Sequence, residues 1–167
     1  MFFKIKYELY LWFMYILKIV PGQTGSLLRC SILPINKGKN VFFWENTQID
    51  SPKKLFIGNN VSINRGCILH AGGEISIGDD VLIGPEVIIY SQNHRYKDSS
   101  LSIRMQGYEK SKVIIGNNIW IGARTIILPG VTVGNNVVIA AGSIVTKDID
   151  CNSVFAGVPA KKIKNLD

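Results

Sequence analysis

The chain has 167 residues, enough for one domain with a real core and too few for two. At 47% apolar and 19% charged residues it is neither a disordered chain nor a fibrous one, and its net charge of +7 is consistent with an anionic ligand, an acidic membrane surface or plain solubility. Three cysteines (Cys30, Cys67, Cys151), odd in number and without CxxC spacing, argue against a disulfide framework or a zinc site and favour a reducing compartment. The aliphatic residues are 25 Ile, 13 Val and 12 Leu; β-branched residues outnumbering Leu, together with 16 Gly, predict an all-β chain with many turns.

The first element is MFFKIKYELYLWFMYILKIV, residues 1–20, strongly apolar and aromatic but interrupted by Lys4, Lys6, Glu8 and Lys18. Its uninterrupted run, Leu9 to Leu17, is nine residues long, against the roughly 20 that a spanning helix needs. Pro21-Gly22-Gln23 is a poor cleavage site. The pattern predicts a short helix, packed on its own domain or oligomer, or lying in a membrane interface. The boundaries expected are an N-terminal helix and connection over 1–36, a repeat region over 37–150, and a tail over 151–167.

From residue 37 the sequence repeats in sixes. IGNNVS (57–62), INRGCI (63–68) and LHAGGE (69–74) are followed by IGDDVL (77–82), IGPEVI (83–88) and IYSQNH (89–94). After an interruption come IGNNIW (115–120), IGARTI (121–126), ILPGVT (127–132), VGNNVV (133–138), IAAGSI (139–144) and VTKDID (145–150). Every first position is Ile, Leu or Val, residues that make up about 30% of the chain. Gly58, Gly78, Gly116 and Gly134 head every third hexad, so the unit is three hexads, and a degraded unit begins at residue 37. The extra residues, two after Leu69 and twenty after Ile89, fall at one corner of a three-sided coil. First and fifth residues point inward, while Gly, Asn and Asp between them tolerate the positive φ of a sharp corner. Stacked coils satisfy one another's backbone groups at strand spacing.

These hexads resemble the hexapeptide-repeat family. That resemblance implies a left-handed parallel β-helix, here of about five coils with one long excursion loop, and a homotrimer with ligand sites between neighbouring subunits. The handedness comes from the resemblance alone, since parallel crossovers are otherwise right-handed.

Long loops on a regular solenoid are where sites are found, and the loop over 94–112 opens on His94. In galactoside, maltose and exopolysaccharide O-acetyltransferases, which this stretch resembles, a histidine closing a hexad at such a loop is catalytic, and V-x-I-x-x-x-x-H runs here from Val87 to His94. Acetyl transfer from a thioester to a hydroxyl needs a base for the hydroxyl proton, and a neutral imidazole can supply it near neutral pH. The resemblance gives the oxyanion donor as the Ala123 amide, in WIGA, and an acceptor-side contact as Asn64, which otherwise reads as a corner asparagine. Asp98, Glu109 and Glu86 are candidates to orient the imidazole. His70, outward-facing in its hexad, could line the same cleft as His94 but reads rather as surface.

On the cofactor side, Trp120 resembles the tryptophan that flanks the pantetheine arm of coenzyme A, with packing at a trimer seam as the alternative. AAGSIVTKDI (140–149) and AGVPAKKIK (156–164) match two further family stretches. By that match the backbone of Ala141 and the pair Thr146 and Lys147 would contact acetyl-CoA, and Lys161 and Lys164 would meet its nucleotide phosphates. The function expected is an acetyl-CoA-dependent O-acetyltransferase acting on a sugar or polysaccharide hydroxyl, cytoplasmic, with peripheral membrane contact through residues 1–20. The alternatives are an amino-sugar or xenobiotic acetyltransferase, or an inactive trimeric scaffold. Two histidines are too few for the three-histidine metal site of γ-type carbonic anhydrases, so no metal is expected, and scattered basic residues give no stripe for nucleic acid.

Overall fold

The computed structural model describes residues 2–166, apart from the side chains of residues 2–4, 7 and 10. Two helices, α1 (Phe2–Ile19) and α2 (Gly22–Ile32), precede a left-handed parallel β-helix with three flat faces. Face one stacks Asn36–Lys37, Leu55–Ile57, Ile75–Ile77, Val113–Ile115 and Thr132–Val133. Face two stacks Val41–Phe43, Val61–Ile63, Val81–Ile83, Ile119–Ile121, Val137–Ile139 and Ser153–Ala156, closed by the antiparallel strand Lys161–Asn165. Face three stacks Gln48–Asp50, Ile68–His70, Ile88–Tyr90, Ile126–Ile127 and Ile144–Val145. The five coils expected are therefore present, with a further partial coil on face two.

The interior is the product of the hexad pattern. First and fifth positions are buried in pairs: Ile57 with Val61, Ile77 with Val81, Ile115 with Ile119, Val133 with Val137. Where the fifth residue is polar its hydroxyl stays bonded, as Thr125 and Ser143 donate to the Ala140 carbonyl. Cys67 is buried in this column, and loss of solvent pushes its thiol up to about 11, so it stays protonated at neutral pH.

Each residue type at the edge between faces one and two has its own task. Asn40, Asn60, Asp80, Asn118, Asn136 and Asn152 take φ between 54° and 58°. The residue before each caps the neighbouring coil: Lys39 N–H donates to Asn59 Oδ1, Asn59 N–H to Asp79 Oδ1, Asp79 N–H to Asn117 Oδ1, and Asn117 N–H to Asn135 Oδ1, at 2.6–2.9 Å. The glycine before that has no room for a side chain, because a Cβ on Gly78 would lie 2.7 Å from the Gly116 carbonyl oxygen.

The N-terminal segment differs from the single short helix read from the sequence. Pro21, with extended backbone at the N-cap of α2, separates two helices, and α2 closes the open end of the solenoid. Strand Val41–Phe43 has no coil below it, so its outer backbone groups need partners. Ser26 Oγ accepts from the Phe43 N–H at 3.0 Å, Arg29 donates twice to the Phe43 carbonyl at 3.0 and 2.8 Å, and Cys30 Sγ donates to the Val41 carbonyl. Arg29 also donates to the Leu17 and Val20 carbonyls at 2.8 and 2.9 Å, binding the C-terminal end of α1, where a cation is favoured. It is only 1% exposed. Arg29→Met would strand these buried carbonyls and is expected to cost about 3 kcal/mol or more, read as a lower urea midpoint. Arg29→Lys should recover only part, because an ammonium cannot fork between Phe43 and α1.

Candidate active site

The twenty-residue insertion is a folded hairpin. From face three the chain runs into strand Gln92–His94, which pairs antiparallel with Tyr108–Lys110 so that His94 lies opposite Tyr108. The two rings are 4.4 Å apart between centroids and tilted by 37°. Gln106 gathers the loop, its amide donating to the Asp98 and Leu101 carbonyls and its oxygen accepting from the Asp98 N–H.

None of the three carboxylates considered as orienting partners is bonded to His94 among the described residues. Asp98 accepts from the Ser100 hydroxyl and N–H, bonds that hold its carboxyl below the usual carboxylate range. Glu86 is taken by Arg124 at 2.7 Å, and Glu109 is exposed opposite Asn93 on the hairpin. The group against His94 is instead the ring of Tyr108, which lies fourteen residues further on and carries no charge pattern that would mark it in the sequence.

Of the two readings of His70, the structure shows the cleft rather than plain surface. Its side chain does point away from the solenoid interior, but the hairpin folds over it. It lines a cleft of about 260 Å³ with Tyr90, Gln92, Asn93, His94 and Tyr108. Its ring lies 5.6 Å from that of Tyr90, Gln92 Nε2 is 3.5 Å from its Nε2, and its Nδ1 is buried without a partner among the described residues. Thr146 and Lys147 lie exposed on the same edge, between faces three and one, on the last coil.

The remaining candidates belong to a different edge. Asn64, Ala123 and Ala141 occupy the corner between faces two and three. Asn64 Oδ1 accepts from the Arg65 N–H at 2.8 Å, so that corner amide is capped. One coil further along the equivalent of Asn64 is Gly84, followed by Pro85, which has no N–H; two and three coils along the equivalents are Gly122 and Ala140, which have no side-chain oxygen to offer. The Ala123 and Ala141 N–H groups consequently have no acceptor among the described residues, and both line a shallow cleft of about 480 Å³ with Pro85, Glu86, Arg124 and Gly142. Gly122 is required here: a Cβ would lie 2.4 Å from the Ala141 nitrogen. Lys161, opposite Ala156, stands at this edge on the final strand; Lys164, opposite Val154, and Trp120, 58% exposed between Leu82 and Val138, stand out on face two. The structure thus brings His94, His70, Thr146 and Lys147 to one edge and Asn64, Ala123, Ala141 and Lys161 to another, with face three between them.

The family described as bacterial transferase hexapeptide (six repeats) matches residues 112–147. Galactoside O-acetyltransferase of Escherichia coli (strain K12) is 40% identical over 130 residues, 74% of this chain and 63% of that protein, so the chain spans less than two thirds of this relative's length. A solved galactoside acetyltransferase in complex with coenzyme A has a TM-score of 0.82 at 34% identity, covering 92% of this chain and 77% of that one. A maltose O-acetyltransferase from Clostridium difficile 630 has a TM-score of 0.82 at 35% identity, covering 98% and 88%. The chain belongs to the hexapeptide-repeat acetyltransferase family.

Within a hexapeptide-repeat acetyltransferase of this shape, an exposed tryptophan is dispensable for folding of the subunit. Trp120→Ala is expected to leave subunit stability within about 0.5 kcal/mol, whereas Ile121→Ala, buried beside it, should cost about 2–5 kcal/mol. Urea unfolding of both variants makes the comparison. An equal loss in Trp120→Ala would assign the indole to packing at a seam.

Proposed function

We propose that this chain transfers an acetyl group from acetyl-CoA to a hydroxyl of a sugar acceptor, with His94 as the general base. The observation that carries the reading is the pair of uncapped N–H groups, Ala123 and Ala141, stacked in one open cleft, while the His94 imidazole, without a hydrogen-bond partner among the described residues, lines another. Both the protein partners and the acceptor are inferred from this arrangement together with the family.

The chemistry runs as one acyl transfer. His94 takes the proton of the acceptor hydroxyl as its oxygen bonds to the thioester carbonyl carbon. The Ala123 N–H donates to the resulting oxyanion, and a backbone donor of this kind costs no reorganisation because the stacked coils hold it in place. The carbon–sulfur bond then breaks, the imidazolium returns its proton to the sulfur, and an acetyl ester and coenzyme A depart. Ala141, Trp120, Thr146 and Lys147 line the path of the pantetheine arm, and Lys161 and Lys164 meet the phosphates. The acceptor cleft suits a sugar: the rings of Tyr90 and Tyr108 offer faces to carbon–hydrogen surfaces, while Gln92, Asn93 and His70 offer hydrogen bonds to hydroxyls, and Asn64 would reach the acceptor from the edge that carries Ala123. A surface polysaccharide or its precursor is the acceptor class we favour, with the reaction in the cytoplasm where acetyl-CoA is made.

The two half-sites lie at opposite edges of face three, so a cyclic homotrimer supplies what one chain lacks, with His94 of one subunit facing Ala123 of the next. Galactosides and maltose form the first acceptor panel. His94→Asn should lower kcat by about 10²–10⁴-fold while acetyl-CoA binding and the unfolding midpoint stay as in the wild type; retained turnover would remove the base assignment. Sharing of the site has its own test. His94→Asn and Ala141→Trp, each inactive alone, should recover about a quarter of wild-type activity when unfolded and refolded together as random trimers, since a heterologous interface then rebuilds some intact sites. No recovery in mixed trimers would confine each site to one subunit.

A further inference from the structure

Helix α1 carries an apolar face that the rest of the chain leaves uncovered. Leu17 turns into the body and is 4% exposed, whereas Ile5, Leu9, Trp12, Ile16 and Ile19 are between 44% and 64% exposed. Their spacing of four, three, four and three residues gathers them, at 100° per residue, on one arc roughly opposite Leu17. Phe13 and Tyr15, also exposed, widen the arc on either side, and Glu8, the one carboxylate of the helix, lies towards the Tyr15 margin. A continuous apolar surface of this extent marks an interaction site.

We propose that this face lies on an anionic lipid bilayer, in the plane between headgroups and acyl chains. Charge points to that occupant. Eight of the nineteen basic residues but three of the twelve acidic ones fall within the first 54 residues, so most of the net charge of +7 sits at the end of the solenoid that carries the helices. Lys6, Lys37, Lys39 and Lys53 are exposed there, the last three on the first coil, and none is in an ion pair among the described residues. Lysines at the same end of a molecule as an apolar face are attracted to anionic headgroups, and Trp12 and Tyr15 are the side chains that prefer the interface. The width of the arc fits a planar medium better than the narrow seam that a second helix would cover. No helix among the described residues is long and apolar enough to cross a membrane, so the helix lies on the surface rather than spanning it. The inference is independent of the proposed reaction.

Vesicle flotation of the full chain tests it, with phosphatidylcholine vesicles and with phosphatidylcholine mixed with phosphatidylglycerol. The wild type should float with the mixed vesicles, more weakly with the neutral ones, and less as salt is raised. Leu9→Ser/Trp12→Ser, checked for native circular dichroism and oligomeric mass, should partition about tenfold less or lower still. Should that variant misfold, Lys37→Glu/Lys53→Glu, altered only at exposed positions, should lose the preference for anionic vesicles instead. Equal flotation of wild type and variants overturns the proposal, as does a wild type that stays in solution. A wild type that fails to float but assembles into larger particles than Leu9→Ser/Trp12→Ser would mean that a second copy covers the face, and overturns it equally.

Discussion

A chain can return above itself every eighteen to twenty residues only if its sharp corners accept residues at positive φ, and the rest of this structure depends on that. At the edge between faces one and two the requirement falls on Asn and Asp, whose side chains tolerate the left-handed conformation. At the edge between faces two and three it falls on Asn46, Gly66, Glu86, Arg124 and Gly142. Glu86 and Arg124 adopt φ of 59° and 58° without the help of a short polar side chain, and the ion pair between them links two consecutive coils at that corner. Being exposed, that pair contributes little stability; the buried column beside it, Cys67, Val87, Thr125 and Ser143, fixes the turn.

The same geometry decides where backbone chemistry becomes available. In a stacked solenoid almost every N–H is taken by the next coil, so an uncapped amide arises only where a corner lacks a side-chain acceptor. At the first edge the side chains of Asn59, Asp79, Asn117, Asn135 and Cys151 accept the corner N–H groups coil by coil. At the second, Asn64 caps Arg65 in one coil, Pro85 has no N–H in the next, and Gly122 and Ala140 leave Ala123 and Ala141 uncapped after that. A glycine that is sterically compulsory at position 122 thus has a chemical consequence one residue later. The solenoid's lower end obeys the same rule in reverse. There the uncapped groups of strand Val41–Phe43 face no coil, and Ser26, Arg29 and Cys30 of α2 satisfy them.

The solenoid was legible in the sequence because its period is written at every coil: inward positions must be aliphatic, corner positions must be small or polar, and insertions can leave only at an edge. His94 was legible as a rare residue at the mouth of an expensive loop. Arg29 was not, because its partners are carbonyl oxygens, which every residue possesses, so no acidic residue at a telling distance announces it. The second helix was missed for a related reason: GQTGSLLRCSI has modest apolar periodicity and is held by tertiary contacts to the first coil. His70 was read as surface because the hexad gives the direction of a side chain but says nothing about what folds over it; the hairpin that covers it pairs residues sixteen apart, Asn93 with Glu109. The orienting carboxylates fail likewise. Glu86 is close to His94 in sequence and on a different edge in space.

The separation of the two edges has a functional logic that follows from how each is built. One edge is made of backbone on rigid, mutually bonded coils, so its donors hold their positions whatever side chains surround them. The other is made of side chains on an inserted hairpin, anchored to the coil through Ser91 and Ser111 and otherwise standing on its own hydrogen bonds. In the proposed reaction the thioester carbonyl meets the rigid edge and the variable partner, the sugar, belongs to the hairpin, while Thr146 and Lys147 follow the pantetheine arm from the coil beside the hairpin. Changes to residues 92–110 can then reshape acceptor choice without disturbing a single rung, because no rung of the three parallel faces passes through them. In the proposed trimer the two edges are coupled across a subunit boundary, so neither would be a complete site until the subunits assemble, and activity would be tied to the assembled state rather than to the folded chain alone.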